Sequence, residues 1–100
     1  SANNTAVGHN AGKTASTGID NSILGAGAGD ALTDADYNTA IGAFALTTDT
    51  LGSKSVAVGS SALFTQNFTS ATDTYNTAVG FNAGALVTVG LRKTLCLQGF

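Results

Sequence analysis

Asn38-Thr39-Ala40-Ile41-Gly42-Ala43-Phe44-Ala45-Leu46 decides how this chain folds, because the same phrase returns along its length. Further copies begin at Asn4 (NTAVGHNAG), Asn21 (NSILGAGAG), Ser55 (SVAVGSSAL) and Asn76 (NTAVGFNAG). Their pivot glycines are Gly8, Gly25, Gly42, Gly59 and Gly80, and subtracting each from the next gives spacings of 17, 17, 17 and 21. A unit that short cannot bury a face alone and must stack on its neighbours, which is the mark of a solenoid. The chain of 100 residues is therefore counted as five coils and part of a sixth.

The four residues before each glycine alternate in character. In an extended chain Asn38 and Ala40 share one face while Thr39 and Ile41 share the other. The same split holds at Asn4/Ala6 against Thr5/Val7, at Ser55/Ala57 against Val56/Val58, and at Asn76/Ala78 against Thr77/Val79. Each phrase thus predicts a strand, and the glycine a corner that either needs positive φ or brings neighbouring turns too close for a Cβ. Three residues later comes the column Ala11, Ala28, Ala45, Ala62 and Ala83, placed inside the coil where only a methyl fits. Gly12, Gly29, Leu46, Leu63 and Gly84 follow it near a second corner.

The return segments are polar and Thr-rich, with turn signals at Thr17-Gly18, Asp34-Ala35-Asp36, Leu51-Gly52 and Val89-Gly90, so each coil is expected to carry a second short strand. The fourth return, Phe64 to Tyr75, is four residues longer and accounts for the spacing of 21. Its Phe64–Asp73 stretch is read as one outward bulge and as the candidate contact loop, with Phe64, Asn67, Phe68 and Thr69 as the contacting residues. Lys93-Thr94-Leu95-Cys96 can stand for a sixth strand, but Leu97 replaces the glycine that the period puts at 97. Residues 1–92 are therefore assigned to the repeats and 93–100 to an irregular sixth coil or cap. The fold class is all-β, a parallel β-solenoid of five to six coils of about 17 residues.

NTAIGAFAL and NTAVGFNAG resemble the head repeats of trimeric autotransporter adhesins and, more closely, the NTAVG-type repeats of bacteriophage tail-fibre and other virion proteins. The likeness runs from residue 4 to about 90. It implies a left-handed β-roll in which three chains surround one axis. It also implies that Val7, Leu24, Ile41, Val58 and Val79 face the partner chains.

Composition narrows the function classes. Pro, Glu, Met and Trp are absent and Ala dominates the 43% apolar content, so both helix and a bulky core are disfavoured. Four basic against six acidic residues, all six Asp, give a net charge of −2 and no basic stripe for nucleic acid. No apolar run approaches the roughly 18 residues of a membrane span, and no charged segment followed by an apolar one opens the chain, so neither span nor signal peptide is expected within it. Cys96 has no second cysteine to pair with and is read as a free thiol.

Catalytic constellations are missing too. His9 and Cys96 fall roughly 25 Å apart at a strand spacing of ~4.8 Å, too far for a dyad. Gly25-Ala26-Gly27-Ala28-Gly29 aligns with its sister phrases and lacks both the sixth-position glycine and the following helix of a nucleotide loop. Asp34, Asp36 and Asn38 begin like a Ca²⁺ loop, but Thr39 and Ala45 stand where glycine and the bidentate Glu are needed. Asp30, Asp34 and Asp36 are read as a solvated turn ahead of a weak cation site. The expectation is a non-enzymatic structural module of an extracellular or virion fibre without cofactor or metal. It would associate with copies of itself, as a trimer or head to tail, and could meet a host-surface receptor or glycan, with no nucleic acid and no membrane insertion. The alternative is an ice- or glycan-binding solenoid that uses its Thr and Asn columns.

Overall fold

The structure, a computed structural model, describes residues 3–96. Eight short strands follow in chain order: β1 (Thr5–Val7), β2 (Ser22–Leu24), β3 (Thr39–Ile41), β4 (Gly52–Ser53), β5 (Val56–Val58), β6 (Thr72–Asp73), β7 (Thr77–Val79) and β8 (Thr94–Cys96). Six of them form one parallel sheet in the order β1-β2-β3-β5-β7-β8, while β4 and β6 pair separately. No helix occurs among the described residues. This is a β-solenoid of stacked coils, and its register sets each residue on its repeat equivalent: Ala40 lies between Ile23 and Ala57, and Thr39 between Ser22 and Val56.

β8 continues the stack, with Thr94 opposite Thr77 and Leu95 opposite Ala78. Lys93 to Cys96 therefore does stand in for the repeat strand. Leu97, which replaces the expected glycine, the three residues after it and the Cys96 side chain lie outside the described residues.

Each coil turns at its glycine. Gly42 has φ +126°, and a Cβ there would sit 2.6 Å from the carbonyl carbon of Gly59 in the next coil, so backbone packs on backbone down this column. The Ala45 N–H closes the turn on the Gly42 carbonyl at 3.1 Å. The ladder then goes on around the bend: Phe44 N–H donates to Ala26, and Leu46 N–H to Ala62. These bonds hold bulky residues in the left-handed region, Tyr37 at φ 59°, Phe44 at 60° and Leu46 at 56°, against an intrinsic cost of about 1–2 kcal/mol each.

The interior is narrow and its volumes are shared between coils. Ala28, Ala45, Ala62 and Ala83 are buried and Ala11 is partly buried. Where the inward strand residue is large, the turn residues it meets are glycines, and both large turn residues accompany a small inward alanine. Ile23 fills the space at Gly12 and Gly29, Leu95 reaches over Gly84, and the small Ala40 and Ala57 accompany the buried Leu46 and Leu63. Little free volume remains, so Ala45→Leu is expected to overpack the coil and cost about 1–3 kcal/mol in urea unfolding. Ala43→Leu, on an outward and half-buried site, should cost far less; equal losses would contradict this packing.

One expectation is corrected. Only β4 and β6 form a second ladder, and the other returns run as turns and bends. Single hydrogen bonds such as Ser16 N–H to Thr33 and Asn67 N–H to Thr88 tie those coils together instead. Turn-forming Thr, Asp and Gly dominate these segments, and they satisfy the backbone without extended geometry.

Candidate interaction face

The outer surface of the six-stranded sheet carries two side-chain columns and no charged residue. One is Thr5, Ser22, Thr39, Val56, Thr77 and Thr94; the other is Val7, Leu24, Ile41, Val58 and Val79. Val7 is 56% exposed, Leu24 48%, Ile41 37% and Val79 45%, with Val58 half-buried. Strand alternation produces this exposure, because Asn38 and Ala40 point into the coil and Ile41 must then point out. The outcome is a flat, repetitive, largely aliphatic strip along the axis.

Beneath it runs a buried ladder that sequence reasoning did not identify. Asn21 Oδ1 accepts the Asn38 backbone N–H at 2.9 Å, and Asn38 Oδ1 accepts that of Ser55 at 2.9 Å. Asn21 Nδ2 donates to the Ala35 carbonyl at 2.7 Å and Asn38 Nδ2 to that of Gly52 at 2.8 Å. Each amide thereby ties its own coil to the next and closes the corner that leads into the next coil's strand.

Ser55 breaks this ladder, and the long fourth coil repairs it. Asp49 and Gln66 are 17 residues apart, whereas Gly52 pairs with Thr72 (72 minus 52 is 20) and Val56 with Thr77 (77 minus 56 is 21). Three extra residues therefore fall between Gln66 and Thr72, and one falls between Asp73 and Thr77. Thr69, Ser70 and Ala71 are exposed, but Thr74 turns inward to hydrogen-bond Ser55 Oγ and to accept the Asn76 N–H at 3.2 Å. Gln66 Nε2 donates to Ser55 Oγ at 3.0 Å and to Asp49 Oδ2 at 2.7 Å, while its Oε1 accepts from Asn76 Nδ2 at 2.8 Å. No buried side-chain nitrogen or oxygen among the described residues is left without a partner.

The contact loop is corrected accordingly. Phe68 is only 7% exposed, and its N–H donates to Asp49 Oδ1 at 2.8 Å, so it cannot present a ring to a partner. Asn67 is half-buried and its Oδ1 accepts from Thr50 Oγ1. Phe64 lies against Phe44, edge to face with centroids 6.5 Å apart, and Thr69 alone of the four residues is a freely exposed polar side chain. The loop is thus largely a structural element, with an exposed tip of three residues.

Asp49 is fully buried, and desolvation pushes its carboxyl above the ordinary 3.8, opposed by hydrogen bonds from Phe68, Gln66, Gly52 and Thr50. A folded-state pKa raised in this way gives stability that is fully present below the unfolded value and is lost as pH rises through the folded one. The stability difference between the native protein and Asp49→Asn should therefore shift in favour of the native protein as pH falls from neutral towards 3.8. Chemical unfolding at several pH values tests this, and a shift of opposite sign would contradict it.

The acidic turn does not gather into a cation site. Asp30 Oδ1 accepts from Thr47, Asp34 Oδ1 from Thr17 and Asp36 Oδ1 from the Ile19 N–H, each across to another coil. No group of three metal-ligating side chains forms among the described residues. His9 is exposed on the corner after Gly8. A shallow open hollow of about 490 Å³ lies between Phe64, Leu86, Ser61 and Asn82, and no titratable group lines it. No described helix is long and apolar enough to cross a membrane. No protein-family model matches the chain, and neither does any curated protein or solved structure.

Proposed function

We propose that the chain is a non-enzymatic structural repeat module of an extracellular or virion fibre, whose copies associate through the uncharged sheet face. The observation that supports this is the exposed aliphatic column Val7, Leu24, Ile41, Val58 and Val79, carried by all five complete coils. Fully burying one such side chain is worth about 1.5–3 kcal/mol, so five partly exposed ones packed against a neighbour supply a substantial driving force. A repeat surface also matches itself in every copy, which suits closed trimers or lateral assembly. Resemblance to fibre and adhesin repeats supports the same reading, in which the module would stand outside the cell or on a virion with a surface receptor or glycan within reach.

Native mass spectrometry with sedimentation tests the reading. The native chain should assemble, and Ile41→Lys, which sets a charge mid-face, should yield monomers with an unchanged circular dichroism spectrum. A native chain that stays monomeric at every concentration would overturn it. The second reading, ice binding, is favoured by Thr5, Thr39, Thr77 and Thr94, which share one column at the strand repeat, although Ser22 and Val56 interrupt it. Thermal hysteresis that Thr39→Lys abolishes would support it.

A further inference from the structure

The corner residue just ahead of each repeat phrase forms a column separate from the sheet face: Asn3, Asp20, Tyr37, Lys54, Tyr75 and Arg92, all at positive φ, with Lys93 following Arg92 where the other coils have Asn or Ser. Lys54 Nζ lies 5.4 Å from the Tyr75 ring centroid and Arg92 Cζ lies 4.8 Å from it, one cation from the coil before and one from the coil after. Cation–π attraction favours these placements of both long side chains. Lys54 also pairs with Asp73 at 3.1 Å. Arg92 and the adjacent Lys93 are exposed and make no ion pair among the described residues. Three of the chain's four basic residues, Lys54, Arg92 and Lys93, thus gather on one corner of an acidic protein, with Asp73 the acid paired among them.

We propose that this ridge binds a linear acidic polysaccharide. An ordered guanidinium with unpaired N–H groups suits bidentate capture of a carboxylate or sulfate. Lys54 and Arg92 stand two coils apart, about 9–10 Å along the axis at the parallel strand spacing, a span suited to charges that recur once per two sugars. Tyr37, 52% exposed and one coil before Lys54, offers a ring face for a sugar's C–H groups. A polynucleotide fits less well. Along a duplex strand the phosphates recur about every 3.4 Å, far closer than two cations that stand two coils apart. The site is independent of self-association through the sheet face.

Calorimetric titration of the full chain with hyaluronate, which carries one carboxylate per two sugars, dextran sulfate, unsubstituted dextran and an oligothymidylate tests the proposal. Binding to at least one acidic polysaccharide that weakens with salt, and none to dextran, is expected. Arg92→Ala should lower that affinity about tenfold and Tyr37→Ala should weaken it, with the circular dichroism spectrum unchanged. Lys13→Ala, which removes the one basic residue outside this corner, should leave it as it was. Absence of binding to both acidic polymers, equal losses in Arg92→Ala and Lys13→Ala, or tighter binding of the oligothymidylate would each overturn the assignment.

Discussion

Gly42→Ala is expected to be among the most damaging single-methyl changes in this chain. The added Cβ meets the Gly59 carbonyl carbon at 2.6 Å, and Gly59 stands in turn against Gly80, so relief requires neighbouring coils to move together. The backbone φ of +126° is one that an L-residue rarely adopts, at about 1–3 kcal/mol, and overpacking adds about 1–3 more. The sum is a large share of the roughly 5–15 kcal/mol that holds a domain together. Gly12→Ala is the control, because its Cβ would meet the Ile23 Cδ1 tip at 3.2 Å and its column already accepts Leu46 and Leu63 at positive φ. Thermal unfolding should show a far larger fall for Gly42→Ala, and similar falls would refute backbone contact as the reason for the glycine.

Asn38→Ala should follow closely. It removes the acceptor of the Ser55 N–H and the donor to the Gly52 carbonyl, leaving two buried backbone groups unsatisfied at about 1–3 kcal/mol each. Thr39→Ala, one residue on and facing outward, should stay within about 0.5 kcal/mol of the native protein. Urea midpoints for the two variants make the comparison, and a mild Asn38→Ala would mean that water replaces the ladder.

The coil period, the strand positions and the inward alanines were legible because they depend on which side chains fit, and the repeat displays five trials of each position. Alternation puts Asn38 on the face it shares with Ala40, yet its double role stays hidden, since nothing in NTAIG says where a side-chain amide finds partners. The left-handed corners were hidden by Tyr37, Phe44 and Leu46, which by intrinsic preference avoid them. A signal existed: Gly12, Gly29 and Gly84 occupy the Leu46 column, and Asn10, Gly27 and Asn82 the Phe44 column, so the tolerant residues disclose the conformation that the bulky ones are forced to share. The fourth coil misled because four extra residues look like one insertion. Thr74 belongs instead to the gap left by Ser55 and is separate from the exposed tip.

That repair also bears on how a repetitive chain finds its alignment. Phrases as alike as NTAIG and NTAVG can pair with the wrong coil and still complete much of the backbone ladder, so a slip by one coil costs little in most of the stack. At Asp49, Ser55, Gln66, Thr74 and Asn76 it costs a great deal, because a buried carboxylate would lose the amide and N–H groups that solvate it. One irregular winding therefore serves as an index mark, letting the remaining coils stay nearly identical while the chain keeps a single way of being threaded.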